Sequence, residues 1–422
     1  MILIKGGRVI DPKNNIDGIL DIIIKDGKAI DTGHFSRASE YQLIIEAGGL
    51  VVAPGLIDVH VHFRDPGLTH KEDIISGAAA AAKGGYTTVV CMANTKPVID
   101  SEDTLRYVLE KGAKTGINVM SVAAVTKDMA GRELSDMAAL KAAGACGFSD
   151  DGMPLTDVGL VAEAMREAKK LGVPISLHEE DPALIMSSGV NKGVVSEKMG
   201  VGGAPAVSED VMVARDCMLA LYTGATVNIQ HVSSKNSVKM IRLAKEMGAR
   251  IFAEATPNHF ALCEDDVLKY GTTIKVNPPL RTREDRAAII EGLKDGTIDI
   301  IATDHAPHSR EEKALPFDKA PSGILGLETA LALGISVLVR GGHISLARLM
   351  EKMSVNPARL YSLDKGRLDK GAAADIVIFD AEGNWQPGEF ASKSANSPFI
   401  GDTLYGKVKY TICGGKVVYK GD

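Results

Sequence analysis

The sequence predicts an α/β protein: a (β/α)8 barrel of the TIM type with a small composite β domain formed by both chain ends. In the middle of the 422-residue chain, apolar strand-like runs alternate with alanine-rich helical runs. Both ends are instead rich in short strand-like runs joined by glycine turns. Polar residues recur directly after the apolar runs of the middle, where a barrel places its reactive face. We expect the barrel over residues 53–365 and the β domain over residues 1–52 plus 366–422.

The two chain ends carry hairpin signals. In the first 50 residues, Gly6-Gly7 predicts a turn, and Asp26-Gly27 predicts a hairpin between two apolar runs. Near the other end, residues 374–380 and 409–419 read as strands, the latter folded at Gly414-Gly415. One small β domain built from both ends explains this symmetry, and two separate β additions are the alternative.

The middle of the chain alternates regularly between the two kinds of segment. The eight predicted strands are residues 49–57, 86–92, 118–125, 145–148, 173–177, 226–230, 250–254 and 299–303. Helical stretches between them include residues 74–83, 160–171 and 237–247. Eight such alternations suit a closed barrel better than an open sheet.

Composition and charge exclude several classes of protein. The net charge is −6 with no long basic run, which argues against a nucleic-acid partner. No apolar run is long enough to span a membrane, and the first residues do not resemble a signal peptide. The five cysteines form no CxxC pair and predict free thiols. Together these features predict a cytoplasmic protein with no membrane partner.

The run from Asp58 to Asp65 reads DVHVHFRD and follows the first barrel strand. His60 and His62 are two residues apart, so on an extended strand both imidazoles point to the same side. Such a pair can hold one metal ion, since neutral imidazole is a good zinc ligand. Arg64 lies two residues after His62, so on the same extended strand it would point to the same side. Its guanidinium group suits a substrate carboxylate. Taken alone, the pair could also be incidental to a strand end.

The other strand ends carry further polar residues. They are Asn94, Asp150-Asp151-Gly152, His178-Glu179-Glu180, His231, the run from Asn277 to Arg281, and the run from Asp304 to His308. Four histidines and two carboxylates exceed the needs of one tetrahedral zinc with an open position. They suit two metals that share a bridging carboxylate and a bridging hydroxide, which attacks a carbonyl. Asp304 can accept the proton and pass it to a leaving nitrogen, so the expected chemistry is hydrolysis of an amide or similar C–N bond.

These motifs resemble the dihydroorotase family of the amidohydrolase superfamily. The matching stretches are DVHVHFRDPG, CMANTKP, GFSDDG, LHEE, QHVSS, VNPPLR, ATDHAPHSREEK and APSGILGLETA. The carboxyl-terminal GRLDKGAAADIVIFD is similar to the composite β domain of the superfamily. The resemblance covers nearly the whole chain. It implies zinc-dependent, reversible hydrolysis of dihydroorotate to N-carbamoyl-aspartate, a step of de novo pyrimidine (UMP) biosynthesis.

The resemblance also implies roles for individual residues. One metal is held by His60, His62 and Asp304, the other by His178 and His231, with Asp151 bridging them. The implied substrate-binding residues are His62, Phe63, Arg64, Asn94, Asn277, His308, Ser322 and Gly323. Asp304 is the implied catalytic base and acid, with a metal-bound hydroxide as nucleophile. We expect one or two Zn²⁺ per chain, with a binuclear site as the predicted arrangement.

The sequence departs from many members of the superfamily at the bridging position. Those members use a carboxylated lysine, but no lysine lies between Ala142 and Gly152. Asp150 and Asp151 stand there instead, as in the type of dihydroorotase that replaces the lysine by aspartate. Adjacent residues at a strand end point to opposite sides, so only one of them can reach the metals. The resemblance selects Asp151.

The remaining histidines and the polar segment 309–319 carry separate expectations. We interpret His34, His70, His259, His305 and His343 as structural or surface residues. The segment 309–319 follows His308 directly and could close over the site as a mobile loop. Family members form homodimers, and some associate with aspartate transcarbamoylase, so both partners are expectations here.

Two alternative functions remain open on sequence grounds. The first is a cyclic amidohydrolase of the dihydropyrimidinase, hydantoinase or allantoinase type, which predicts a bridging lysine and does not need Arg64 with Asn94. The second is a non-catalytic dihydroorotase-like scaffold for aspartate transcarbamoylase, which predicts lost ligands. No ligand is missing from the motifs above.

Overall fold

The computed structural model describes residues 1–33, 35 and 41–422 and shows a mixed α/β protein. Its strands are β1 Ile2–Asp11, β2 Ile16–Lys25, β3 Lys28–Gly33, β4 Leu43–Glu46, β5 Val51–Pro54, β6 Leu56–Val61, β7 Tyr86–Cys91, β8 Asn118–Ser121, β9 Ile175–Leu177, β10 Val227–Ile229, β11 Ile251–Ala255, β12 Ile300–Ile301, β13 Ile376–Trp385, β14 Leu404–Cys413 and β15 Lys416–Lys420. The predicted α/β class is confirmed.

Fourteen α-helical segments lie among the described residues. They are α1 Ile74–Lys83, α2 Glu102–Gly112, α3 Met137–Ala142, α4 Val158–Leu171, α5 Val194–Lys198, α6 Val207–Thr223, α7 Lys235–Glu246, α8 Pro257–Ala261, α9 Val267–Tyr270, α10 Arg283–Asp295, α11 Arg310–Lys313, α12 Ala330–Leu333, α13 Leu346–Met350 and α14 Asn356–Leu360. The three helices predicted between strands correspond to α1, α4 and α7. Within these described ranges, no helix is both long and apolar enough to cross a bilayer.

The largest sheet combines strands from both chain ends. Its order is β15-β14-β13-β5-β1-β2-β3, and β4 pairs with β1. Both predicted hairpins are confirmed: Lys25 pairs with Lys28, and Cys413 pairs with Lys416. The sheet reaches Pro54, which pairs with Ile376. The division into domains at residues 52/53 and 365/366 stays a prediction.

The turn predicted at Gly6-Gly7 is wrong, because both glycines lie inside β1. The register with β2 shifts between Ile4 and Gly7, as in a β-bulge. Gly6 has φ 70°, and its N–H donates to Oδ1 of Asp21 at 2.7 Å. A bulge and a turn both need a residue at positive φ, so the glycine pair alone did not distinguish them.

The middle of the chain forms two parallel sheets. One has the order β6-β7-β8, and the other has the order β12-β11-β10-β9. Single parallel bridges join Val61 to His305, Ala123 to Phe148, and Phe148 to Ile175. Pairing therefore continues from each sheet into the other at both edges.

The strand predicted at residues 145–148 is reduced to those bridges of Phe148. Gly147 leaves room for the carbonyl oxygen of Pro174, which would lie 2.9 Å from a Cβ atom at this position. A glycine weakens a strand but allows a neighbouring chain to approach closely. The segment therefore holds its place between β8 and β9 with little regular pairing.

Candidate active site

Most of the predicted metal ligands lie on β6 or just beyond the carboxyl ends of strands of the two parallel sheets, and Asp151 follows the bridges of Phe148. His60 belongs to β6, His178 follows β9 directly, and Asp304 follows β12. His231 and Asp304 have positive φ values of 32° and 48°, and Arg64 has a φ of 58°. Non-glycine residues in this region are strained, and such strain concentrates at functional sites.

One half of the cluster groups His60 and His62 with two carboxylates. Nε2 of His60 lies 3.4 Å from Oδ1 of Asp151, and Nε2 of His62 lies 3.3 Å from Oδ2 of the same carboxylate. Oδ1 of Asp304 lies 2.9 Å from Nε2 of His62 and 3.6 Å from Nε2 of His60. Both carboxylates therefore face the same pair of imidazoles.

The other half groups His178 and His231 around the same aspartate. Oδ1 of Asp151 lies 3.5 Å from Nδ1 of His178 and 3.4 Å from Nε2 of His231. Nδ1 of His178 and Nε2 of His231 are 3.0 Å apart. Asp151 thus stands between the two pairs of histidines.

These residues fit a metal site on the chemistry of their free atoms. Nε2 of His60 and Oδ1 of Asp151 are buried with no hydrogen-bond partner. Two sets of donor atoms, one from His60, His62 and Asp151 and one from Asp151, His178 and His231, each lie within 4.8 Å of one another. Buried polar atoms rarely stay unpaired. A cation between them would satisfy both, and imidazole with carboxylate is a donor set that suits zinc.

The electrostatics of the cluster agree with its interpretation as a metal site. Burial alone would raise the pKa of Asp151, but His60, His178 and His231 outweigh it and hold that pKa well below its ordinary value. Burial alone would lower the pKa of His60, but Asp151 and Glu254 outweigh it and raise that pKa well above its ordinary value. Against the same burial, Asp151 and Glu180 raise the pKa of His178 to about 10. The cluster therefore attracts positive charge.

The histidines have hydrogen-bond partners behind them, and of these Glu254 and Glu180 were not predicted as site residues, whereas Asn94 was predicted to bind the substrate. Nδ1 of His60 lies 3.0 Å from Oε2 of Glu254, and Nδ1 of His62 lies 2.9 Å from Oδ1 of Asn94. Nε2 of His178 lies 3.0 Å from Oε2 of Glu180. Such contacts orient a ligating imidazole and fix its tautomer. The available signal for Glu254 was its position at the end of the seventh predicted strand.

A cavity of about 170 Å³ opens beside the cluster. Its walls are His62, Arg64, Asn94, Asp151, Gly152, His178, His231, Asn277, Asp304, Ala306, His308, Ser322 and Gly323. Seven of the eight predicted substrate-binding residues are in this set. The structure therefore places five of the six predicted metal ligands, all but His60, and most of the predicted substrate-binding residues around one cavity.

Phe63 is the exception, since its side chain does not line the cavity. The ring is buried and stacks edge-on against His305, with 6.4 Å between ring centroids. It also fills the space above Gly77, where a Cβ atom would lie 2.4 Å from the ring. Phe63 lies between His62 and Arg64 in the chain and points away from both, so only its main chain remains available to a ligand.

The two adjacent aspartates face different ways. The carboxylate of Asp150 accepts hydrogen bonds from the main-chain N–H groups of Val125, at 2.6 Å, and Thr126, at 3.2 Å. Asp151 faces the histidines and lines the cavity. Asp150 therefore supports the loop after β8.

The wall opposite the metal cluster is held by Arg64, His308 and the loop at Ser322. Nε of Arg64 donates to the carbonyl oxygen of Pro307 at 3.3 Å. Oγ of Ser322 lies 3.2 Å from Oδ1 of Asn277. Burial, together with the charges of Arg64, Lys71 and Lys313, lowers the pKa of His308 to about 2. His308 is therefore a neutral imidazole at physiological pH.

The other histidines lie outside the cavity walls. Burial lowers the pKa of His259 to about 4, and its Nε2 lies 3.0 Å from the carbonyl oxygen of Pro278. Nδ1 of His305 accepts from the N–H of Gly326 at 3.2 Å. His70 and His343 are exposed, and His34 lies outside the described residues. For the four described histidines, this agrees with the structural or surface role predicted for them.

The mobility of segment 309–319 stays a prediction, although its structure is described. Residues 310–313 form α11, and Lys313 is buried. Nζ of Lys313 donates to the carbonyl oxygens of Pro321, at 3.0 Å, and Gly323, at 3.1 Å. The segment is therefore tied to the cavity wall.

Comparison with solved structures gives the class of protein. The fold matches the L-hydantoinase (dihydropyrimidinase) of Arthrobacter aurescens with a TM-score of 0.90 and 27% identity, over 100% of this chain and 96% of that one. It also matches the dihydropyrimidinase of Brevibacillus agri with a TM-score of 0.86 and 23% identity, over 99% and 95% of the two chains. With the buried histidine and aspartate cluster, the fold defines an enzyme of the amidohydrolase superfamily.

Sequence comparison then gives the family. The model of the "Dihydro-orotase-like" family matches residues 49–237. The dihydroorotase of Clostridioides difficile is 61% identical over 419 residues, covering 99% of this chain and all of that one. The dihydroorotase of Clostridium acetobutylicum is 53% identical over 422 residues, covering both chains completely. This chain belongs to the dihydroorotase family, which hydrolyses cyclic amide bonds.

Proposed function

We propose that this chain catalyses the reversible hydrolysis of the cyclic amide of dihydroorotate to N-carbamoyl-aspartate, in de novo pyrimidine biosynthesis. One observation carries the proposal. Arg64 and Asn94, which suit a substrate carboxylate, line the same cavity as the histidine and aspartate cluster. Dihydroorotate combines the two features that such a cavity can serve, a carboxylate and a cyclic amide. Members of the family at 50–61% identity over the full chain carry the same name.

The cluster would hold one or two Zn²⁺ ions. His60 and His62 with Asp304 form one ligand set, His178 and His231 form the other, and Asp151 lies between them. A bound metal pair would supply a water of lowered pKa and would polarise the amide carbonyl. The residues behind the ligands, such as Glu254 on His60, keep each imidazole in the tautomer that binding requires.

Asp304 is the proposed general base and acid. Its carboxylate lines the cavity, and burial alone would raise its pKa, but His62 and the neighbouring histidines outweigh it and lower the pKa. Asp304 is therefore ionised and able to accept the proton of the attacking water. It then returns that proton to the amide nitrogen as the ring opens. The same carboxylate can run both directions of a reversible reaction.

The substrate carboxylate would bind Arg64 and Asn94, and the rest of the ring would contact Asn277, His308 and the Ser322–Gly323 loop. Asn94 accepts from His62 through Oδ1, so its amide nitrogen is oriented toward donation. Nδ2 of Asn94 also lies 3.2 Å from the carbonyl oxygen of Asp151. Arg64 provides a planar set of N–H donors that matches a carboxylate.

Membership of the dihydroorotase family also supports a wider architecture for this chain. The two parallel sheets and the bridges between them support one closed (β/α)8 barrel whose strand ends carry the site. Segment 309–319 would close over the bound substrate. The protein would act in the cytoplasm as a homodimer, with association to aspartate transcarbamoylase as a further possibility for testing.

Turnover of purified, zinc-loaded protein tests the proposal. Dihydroorotate would be compared with dihydrouracil, hydantoin and allantoin, and zinc would be counted in the same sample. We expect ring opening of dihydroorotate, little or none of the three rings that lack a carboxylate, and one to two Zn²⁺ per chain. The comparison with hydantoin matters most, because the solved structures with a similar fold are those of a hydantoinase and a dihydropyrimidinase.

Two other outcomes would replace the proposal. Rapid turnover of the uncharged rings would place the chain with the hydantoinases and would remove Arg64 from its role. Bound zinc without any turnover would favour a scaffold role, and aspartate transcarbamoylase would then be added to the assay.

A further inference from the structure

Lys71 is a buried lysine next to the active-site cavity that the reaction above does not use. It lies in the segment between β6 and α1 and is 9% exposed. It is absent from the cavity wall among the described residues, so a substrate in the cavity would not touch it. Its main-chain carbonyl accepts from Oγ of Ser394 at 2.8 Å, which fixes the backbone there.

The ammonium group of Lys71 contacts two side chains of the cavity wall region. Nζ lies 3.3 Å from Nδ1 of His308 and 2.7 Å from Oε1 of Glu312. The contact with Glu312 is an ion pair between an ammonium group and a carboxylate. A charged amine has N–H donors and no acceptor, so Nδ1 of His308 has to accept.

The opposite ring nitrogen of His308 supports the same assignment. Nε2 lies 2.9 Å from the carbonyl oxygen of Ser322, which can only accept. A neutral imidazole has one donor and one acceptor nitrogen, so Nε2 has to carry the proton. Nε2 also lies 3.3 Å from an Arg64 nitrogen, which is a donor, so that approach is a contact between two donors.

We propose that Lys71 is a positioning residue that holds His308 in the Nε2–H tautomer and so presents an N–H donor beside Arg64 to the substrate carboxylate. The inference rests on the proposed function for the identity of that carboxylate. In this tautomer, the single N–H of His308 donates to the Ser322 oxygen, whereas Nη2 of Arg64 faces that donor and no acceptor on His308. The two donors therefore have one acceptor between them, and a substrate carboxylate would bind Arg64 and share the proton of His308. An anionic group of the substrate is the acceptor that such a pair requires.

Without Lys71, the other tautomer becomes available to His308. Nδ1 would donate to Oε2 of Glu312, 3.7 Å away, which would have lost its lysine partner. Nε2 would then turn a lone pair toward the Ser322 oxygen and toward the substrate carboxylate. Binding of the carboxylate would weaken, while the metal cluster and Asp304 would be unaffected.

Substitutions of Lys71 separate hydrogen-bond donation from charge. Lys71→Met removes the donor and the charge, whereas Lys71→Gln keeps an N–H donor on a neutral and shorter side chain. Lys111→Met is a matched control, because Lys111 anchors the same segment through Asp65 at 2.5 Å and makes no contact with His308. Each variant would be prepared as the zinc-loaded enzyme and measured for kcat and KM with dihydroorotate.

The tautomer itself is measured by ¹⁵N NMR on histidine-labelled protein. The His308 signals are assigned by their loss in a His308→Asn variant. We expect the Nε2–H tautomer in wild type, Lys71→Gln and Lys111→Met, and loss of that tautomer in Lys71→Met. We also expect about a tenfold rise in KM for Lys71→Met with kcat within about twofold, as for one lost charge-assisted hydrogen bond.

Three results would overturn the inference. They are an Nδ1–H tautomer in wild type, an unchanged tautomer and KM in Lys71→Met, and equal loss of kcat in Lys71→Met and Lys71→Gln. The NMR measurement requires no turnover. A wild-type enzyme that fails to open dihydroorotate would therefore overturn the proposed function and leave the tautomer assignment to be decided separately.

Discussion

Oδ1 of Asp304 lies 2.9 Å from Nε2 of His62, although 242 residues separate the two in the chain. The side chain of Asp304 is 14% exposed, and the residue lines the cavity. One carboxylate thus contacts a proposed metal ligand and is accessible to a substrate. That double position is the reason to assign Asp304 both ligation and proton transfer.

Asp304→Asn should keep the fold and abolish turnover. The amide cannot accept the proton of the attacking water, and loss of a general base costs about 10²–10⁴-fold in rate. The measurement is kcat for dihydroorotate, with zinc content and melting temperature recorded on the same protein. A variant that keeps its zinc and more than about a tenth of the wild-type rate would remove Asp304 from proton transfer.

Arg64→Met should weaken binding of dihydroorotate much more than binding of an uncharged ring. It removes charge-assisted hydrogen bonds worth about 1.5–3 kcal/mol to the carboxylate. The measurement is KM for dihydroorotate beside the inhibition constant of dihydrouracil. Equal losses for the two rings would show that the carboxylate binds elsewhere in the cavity.

Asp150→Asn and Asp151→Asn are a matched pair of neighbouring substitutions. Asp151→Asn should reduce bound zinc to one ion or none, because this carboxylate faces both pairs of histidines. Asp150→Asn should keep the zinc and lower stability, because it weakens bonds to the N–H groups of Val125 and Thr126. Zinc counts and melting temperatures of the two variants show which aspartate bridges the metals. Loss of zinc in Asp150→Asn with zinc retained in Asp151→Asn would assign the bridge to Asp150.

Asp73→Ala should destabilise the protein by about 1 kcal/mol at pH 7, since Asp73 caps α1. Partial burial alone would raise the pKa of Asp73, but bonds from Lys393 and from the Ser76 N–H outweigh it and lower the pKa to about 2.

A lowered folded pKa means that the charged cap stabilises above the unfolded pKa of about 3.9. Its contribution is lost as the pH falls from about 4 toward 2. In urea unfolding, the difference between wild type and Asp73→Ala should therefore shrink over that window. Asp73→Asn, which keeps an acceptor without the charge, is the control. A difference in stability between wild type and Asp73→Ala that stays constant over this pH window would contradict the role of Asp73 as a charged cap.

Cys263→Ser should leave zinc content and turnover unchanged. All five cysteines are buried free thiols, and Sγ of Cys263 lies 3.6 Å from Oδ2 of Asp266, outside the histidine cluster. The measurement is zinc stoichiometry after dialysis. Loss of an ion in this variant would reveal a ligand outside the histidine and aspartate set.

Much of the local structure was predictable because it depends on neighbours in the chain. Helix α1 begins at Ile74 and ends at Lys83, as predicted, because Asp73 caps it and alanines continue it. Gly6-Gly7 was misread, since its role depends on the pairing partner β2. Phe63 was assigned to the substrate by resemblance, whereas its side chain alternates away from the cavity that His62 and Arg64 line.

The sequence by itself determined which residue types could form the site. The spacing of His60 and His62 predicts their common side, because side chains alternate along an extended strand. Only the tertiary structure decided which carboxylate faces the histidines, that Glu254 supports His60, and that Lys71 reaches His308. Those contacts join residues far apart in the chain. Their distances depend on how the strands and loops pack, which no local spacing encodes.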